Sequence, residues 1–275
     1  MCHPIRSVLA FGLVALFAAA QPASAQLLYE DFESYNLGVL DKNEFLGPNS
    51  APNGSGNPWF GPSPPNCVVV GPENGVMPIS GSQMIRGNAP SDVDQNWFNL
   101  AYRLNGGLPF VENVVLDWWF YDPLGAGGTD FRDYVALAFY DSAPPDTDGP
   151  DNYNLNQGFT QIQRISIGAT TAMDPGFDAN YYQSRVVGAT DGYNGNGWFN
   201  TLTPRSVGWH HAAIMVGPML DDGTNDVLFF IDDMANPTLE HNSVTSFGYN
   251  VIEVNASFGP QTGYFDDITF DTISG

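Results

Sequence analysis

The chain has 275 residues, with 30 acidic and 8 basic side chains, a net charge of −22 and two cysteines. That balance excludes a nucleic-acid face, which needs clustered cations to displace counterions, and argues against an anionic membrane surface. It fits Ca2+-rich extracellular surroundings and equally a simple need for solubility.

In chain order, Arg6, the apolar run Val8 to Ala20 and the small residues Ala23 and Ala25 read as a secretory signal peptide over residues 1–25. The apolar run is too short for a membrane span, and no later segment offers one. Cleavage removes Cys2 and Arg6, which leaves seven basic residues and the single cysteine Cys67. One cysteine makes no internal disulfide. The mature part, residues 26–275, is therefore expected to be one exported domain that relies on a large core, with a metal ion as a possible supplement.

Helical periodicity is nearly absent, whereas strand patterns recur from end to end. Twelve strands are predicted, at 27–33, 67–70, 83–86, 97–103, 113–121, 133–140, 162–168, 183–188, 209–216, 226–232, 251–258 and 263–271. Gly, Pro, Asn and Asp clusters between them supply the turns that antiparallel connections require. The runs Val114 to Phe120 and Val227 to Ile231 are apolar on both faces, as in strands at the middle of a two-sheet sandwich with loops folded over its concave face. The predicted class is all-β, a two-sheet antiparallel sandwich of jelly-roll type.

Its two ends form the clearest chemical pattern. Tyr29-Glu30-Asp31-Phe32-Glu33 opens the mature chain and Tyr264-Phe265-Asp266-Asp267-Ile268-Thr269-Phe270-Asp271 closes it. Paired terminal strands would crowd these carboxylates, and two unit charges ~4 Å apart repel by roughly 1 kcal/mol in water and about 4 kcal/mol at a dielectric near 20. A Ca2+ between Asp31, Glu33, Asp266 and Asp267 would turn that repulsion into a clasp. Unbroken alternation would put Asp31 with Glu33, Glu30 with Phe32, and Asp266 with Tyr264, Ile268 and Phe270. The competing reading is a row of solvated carboxylates that guards an edge against strand addition.

Other candidates carry less. Asp146-Thr147-Asp148-Gly149-Pro150-Asp151 has alternating oxygens and a glycine, but Gln157 stands where an EF-hand needs Glu, and a polar surface loop explains it. His210 and His211 point to opposite faces of a strand and cannot share a metal. No Gly-x-Ser-x-Gly elbow is present, and no strand carries the Glu-x-Asp-x-x-Glu set of jelly-roll glycosidases. Sugar-binding chemistry, aromatic faces beside amides, occurs at Tyr182, Tyr193, Asn194, Trp198 and Trp59. The same aromatics could plug the ends of the sandwich.

Gly208-Trp209-His210-His211, followed by Val227-Leu228-Phe229-Phe230-Ile231-Asp232-Asp233, resembles the laminin G-like and concanavalin A-like jelly rolls, with Asp233 in place of the usual turn glycine. Pro78 to Gln83 and Phe265-Asp266-Asp267-Ile268 are similar to secreted bacterial members, and the pairing of the two ends is similar to calcium-binding jelly-roll carbohydrate modules. The resemblance implies a Glu of the first strand and an Asp of the last as metal ligands, Glu33 and Asp266 here. Gln161-Ile162-Gln163 is similar to the Gln-Ile-His of alginate lyases but lacks the His. The expectation is a secreted binding or adhesion module for extracellular polysaccharide with a structural calcium. A polysaccharide lyase or glycosidase, or a structural surface-layer or matrix protein, stands as the alternative.

Overall fold

Period-two alternation sets the architecture, and β7 (Val114–Asp122) shows how. Its residues Val114, Leu116, Trp118 and Phe120 enter the core, while Val115, Asp117, Trp119 and Tyr121 are half-buried on the opposite face. The computed structural model describes residues 27–40, 59–60, 67–87, 100–129, 132–140, 161–169, 178–187, 198–245, 248–257 and 263–273. Among them are sixteen strands and one short 3-10 turn, Leu104–Gly107.

The strands form two antiparallel sheets stacked as a sandwich. The first runs β14 (Leu239–Thr245), β13 (Thr224–Ile231), β12 (Gly208–Met219), β7, β16 (Gly263–Thr272), β5 (Met84–Gly87), β4 (Cys67–Val70) and β2 (Gly38–Val39), with β1 (Leu28–Glu30) also on β16. The second runs β11 (Trp198–Pro204), β10 (Tyr181–Val187), β9 (Gln161–Ala169), β8 (Arg132–Tyr140), β15 (Val251–Ser257), β6 (Leu100–Arg103) and β3 (Trp59–Phe60). Between the sheets, Trp118, Phe120, Ile214, Phe229, Phe265 and Phe270 meet Val135, Leu137, Ile165, Ile167, Ile252 and Val254 in one core. Each such side chain, taken out of water, contributes about 1.5–3 kcal/mol. The fold is an all-β sandwich of jelly-roll type, and Cys67 lies free and buried within it. No helix among the described residues is long and apolar enough to cross a membrane.

All twelve predicted strands are present, and four more, β2, β3, β11 and β14, carried no apolar run to reveal them. Two expectations need correction. The strand predicted over 27–33 stops at Glu30, because Phe32 turns into the left-handed region at φ 60°. Nor does alternation continue unbroken through β16. The pairing of β16 with β7 shifts between Asp266 and Thr269, and Asp267 is left-handed at φ 47°. This bulge uses one extra residue, so Ile268 and Phe270 rejoin Phe265 in the core while Asp266 stays on the outer face with Tyr264. It falls where β16 changes partners, from β5 at Gly263 to Phe265 to β1 at Ile268 to Phe270.

Candidate functional site

The Pro78 to Gln83 segment holds both the turn after β1 and the bulge of β16. Glu33 Oε1 accepts the backbone N–H groups of Ser82 (2.6 Å) and Gln83 (2.6 Å), and its Oε2 accepts the Ser82 hydroxyl at 2.8 Å. Gly81, at φ 55°, is needed here twice over, since a Cβ would also lie 2.4 Å from Glu33 Oε1. Two residues earlier the same segment reaches Asp266, whose Oδ2 accepts N–H from Ile79 (2.9 Å) and Ser80 (3.4 Å). The Ser80 hydroxyl donates to Asp267 Oδ1 at 2.7 Å.

The four carboxylates expected to share a cation are thus sorted by environment. Asp31 accepts the Glu33 N–H at 3.2 Å and closes its own turn. Glu33 is held below the usual carboxylate range, chiefly by the Ser82 N–H. Asp266 is fully buried, and that burial, reinforced by the charge of Asp267, pushes its pKa up to about 7. Glu30 turns inward and accepts Phe32 N–H (2.9 Å), the Tyr35 hydroxyl (3.0 Å) and Trp59 Nε1–H (3.0 Å). The oxygen-only set of Asp266, Asp267 and the Ser80 hydroxyl suits a hard cation in chemistry. Glu33, Asp31 and Asp266 are all engaged by N–H donors, Asp266 Oδ1 accepting the Asp267 N–H at 2.9 Å, and among the described residues no three His, Cys, Asp or Glu side chains converge as a metal cluster.

Beside this clasp lies an aromatic and acidic surface on the outer face of the first sheet. Asp266 pairs in register with Trp119 of β7, and Trp119 with His211 of β12. The His211 imidazole lies flat on the Trp119 indole, with centroids 4.7 Å apart and planes 9° from parallel. Its Nε2 meets Asp117 Oδ2 at 2.7 Å, and the two side chains are 24% and 30% exposed. The neighbouring row runs Ala213, Asp117, Thr269 and Tyr29 across β12, β7, β16 and β1. Small residues therefore flank Asp117, and Tyr29, 54% exposed, stands at the end of the row. On the other side Tyr121 meets Trp209 (5.6 Å) and Tyr264 (6.1 Å) edge to face. These three pack with Val76 and Met84, and Trp209 Nε1 donates to the Met77 carbonyl at 2.8 Å.

The two histidines face opposite ways, as expected. His210 is buried, with Nδ1 2.8 Å from Asp232 Oδ2 and Nε2 2.8 Å from the Ser206 carbonyl. Burial opposes its charged form, but Asp232, the Ser206 carbonyl and the charge of Asp122 together outweigh burial and the pKa is raised. The missing turn glycine is explained by Asp232, which itself adopts φ 62°.

The second sheet turns a different surface outward. One transverse row crosses it through Ala101, Glu253, Ala136, Ser166 and Arg185. Arg164, in the adjoining row, donates from Nε (2.6 Å) and Nη2 to Glu253 Oε2. Its guanidinium also lies 5.3 Å from the Tyr134 ring centre. Arg164, Glu253, Ser166, Gln183 and Asn255 are all buried, so this charge is neutralised within the protein.

The residues that sequence chemistry nominated for sugar contact fall elsewhere. Tyr182 is buried, edge-on to Phe120 (5.4 Å) and 5.2 Å from His210. Trp59 is buried between Phe32 (6.0 Å) and Tyr102 (5.1 Å). Both plug the sandwich, because their positions alternate inward, and neither presents a face to a ligand. Trp198 begins β11 in register with Arg185. Tyr193, Asn194, the Asp146 to Asp151 segment and the leader predicted at 1–25 lie outside the described residues. The accessible set, Trp119, His211, Asp117 and Tyr29, was missed; its signal was the half of Leu116-Asp117-Trp118-Trp119-Phe120 that cannot face the core.

No family model and no curated protein matches the chain. Among solved structures it is similar to the carbohydrate recognition domain of Emp47p, at 12% identity over 92% of this chain and 100% of that one, TM-score 0.45. It is also similar to a GH131 β-glucanase catalytic domain from Podospora anserina, at 12% identity over 92% of this chain and 98% of that one, TM-score 0.41. A third is the botulinum neurotoxin serotype G binding domain, at 10% identity over 82% of this chain, TM-score 0.41; the chain spans 45% of that domain. The strand order and pairing of the molecule itself define its class: an all-β sandwich of two antiparallel sheets.

Proposed function

We propose that the protein is an exported module that binds extracellular polysaccharide on the outer face of its first sheet. One observation carries this reading: the partly exposed Trp119–His211 stack has a carboxylate, Asp117, fixed beside it and an exposed aromatic, Tyr29, one row away. Pyranose rings offer an apolar C–H face to an aromatic side chain and hydroxyls to a carboxylate, and both partners are within one ring's reach here.

Export follows from the leader-like residues 1–25 and belongs to the same proposal. So does a structural calcium at Asp266 and Asp267, supported by the adjacent carboxylates and the Ser80 hydroxyl on Asp267 Oδ1. Titration calorimetry with a panel of oligosaccharides tests the binding role. A bound glycan whose affinity falls at least about tenfold in Tyr29→Ala is expected, that being the loss of one good stacking contact. Glycan binding untouched by Tyr29→Ala and Trp119→Leu would place the ligand elsewhere.

A further inference from the structure

The surface around Trp119 combines flat aromatic rings with carboxylates and, among the described residues, carries no lysine. Asp117, Asp267 and Asp271 are half-buried on this face, and Asp31 stands at the end of β1 beside Tyr29. The one described arginine on the same face, Arg86, is spent on Glu73 through Nη1 contacts of 2.9 and 3.1 Å. Asp117 already accepts from His211 through one oxygen, and its 30% exposure leaves the group open to a second donor. Aromatic rings beside a carboxylate are the chemistry that recognises an ammonium group, through the ring quadrupole and a charge-assisted hydrogen bond together. A uronate chain would meet like charge at each of these carboxylates, on a protein whose net charge is −22.

We infer that the preferred ligand of this face is a polysaccharide bearing protonated amino groups, an amino sugar whose ring stacks beside Trp119 and Tyr29 while its ammonium group pairs with Asp117. The inference rests on the polysaccharide-binding role and names the ligand class for the same site. Small Ala213 and Thr269 on either side of Asp117 leave room for a ring to lie against the sheet.

The test is calorimetry with three oligosaccharides of equal length, a glucosamine oligomer, its fully N-acetylated counterpart and a neutral β-glucan, with oligolysine as a charge control. Wild type, Asp117→Asn and Tyr29→Ser are compared, and circular dichroism verifies the fold of each. The glucosamine oligomer is expected to bind tightest. Asp117→Asn should weaken it about tenfold and leave the N-acetylated oligomer unchanged. Salt at about 1 M, where the Debye length falls to about 3 Å, should have the same selective effect. Tyr29→Ser should weaken both amino-sugar oligomers. Neutral or N-acetylated oligomers bound as tightly as glucosamine, with no effect of Asp117→Asn, overturn the ligand class while leaving glycan binding intact. Oligolysine bound as tightly as the glucosamine oligomer also overturns it, since mere charge attraction would then suffice. Absence of binding by every oligosaccharide overturns the polysaccharide role together with this inference.

Discussion

The two sheets turn outward surfaces of opposite character, although both carry charge where a simple sandwich would show neutral polar residues. On the second sheet, Arg164 and Glu253 are buried and satisfy each other, with Tyr134 against the guanidinium. On the first, Asp117 and His211 satisfy each other only in part and stay a quarter to a third exposed. Charge that is buried and paired is costly to break, because removing one partner strands the other in a low dielectric. Charge left open beside aromatic rings costs little and remains available to a ligand. The contrast separates a structural ion pair from the open carboxylate on which the proposed binding face depends.

Breaking the buried pair should have the largest effect. Arg164→Met is expected to cost about 3–5 kcal/mol in urea unfolding, and adding Glu253→Met should recover most of it. Asp117→Asn on the open face should stay within about 0.5 kcal/mol. Equal losses at the two positions would dissolve the distinction.

Next comes His241, buried between the sheets with Nε2 3.0 Å from Ser184 Oγ; burial lowers its pKa from 6.5 to about 4. The folded protein therefore keeps this ring neutral where the unfolded chain binds a proton. Its contribution is fully present above the unfolded value of 6.5 and is lost as pH falls towards 4, by roughly 3 kcal/mol in all. Unfolding measured across that window should show the loss in wild type and a flatter profile in His241→Gln. A profile shared by both proteins would contradict the burial argument.

Calcium at the terminal clasp is expected to act at about the same scale or below. An ion present at a hundred times its Kd would add about 2.7 kcal/mol, and chelation would remove it. The ion must displace the proton that Asp266 holds up to about pH 7, so the gain in Tm from added Ca2+ should grow between about pH 6 and pH 8. A Tm indifferent to Ca2+ and chelator at both values would leave the Pro78 to Gln83 donors as the whole clasp.

Much of the fold was legible because it depends on local alternation. The inward set of β7 is readable from Val114, Leu116, Trp118 and Phe120 alone, and the meeting of the chain ends follows from their matched acidic patterns. β11 and β14 were not legible, since Trp198-Phe199-Asn200-Thr201 and Leu239-Glu240-His241-Asn242 are too polar to read as strands; their neighbours supply the pairing. The bulge at Asp267 was hidden for another reason. Phe265, Ile268 and Phe270 do not fit one alternation, and only the change of partner from β5 to β1 shows where the extra residue goes. The Trp119–His211 stack joins residues far apart in sequence through a register that no local pattern specifies. Trp59 and Tyr182 misled because aromatic character alone does not say which way a side chain points.

The most direct test of the contrast is to map a bound oligosaccharide by NMR, following the Trp119 indole N–H and the Tyr29 ring against the Arg164 guanidinium. The account predicts shifts at Trp119 and Tyr29 that saturate with ligand, with Arg164 unmoved. Saturable shifts at Arg164 with Trp119 and Tyr29 silent would contradict it and move the binding face to the second sheet.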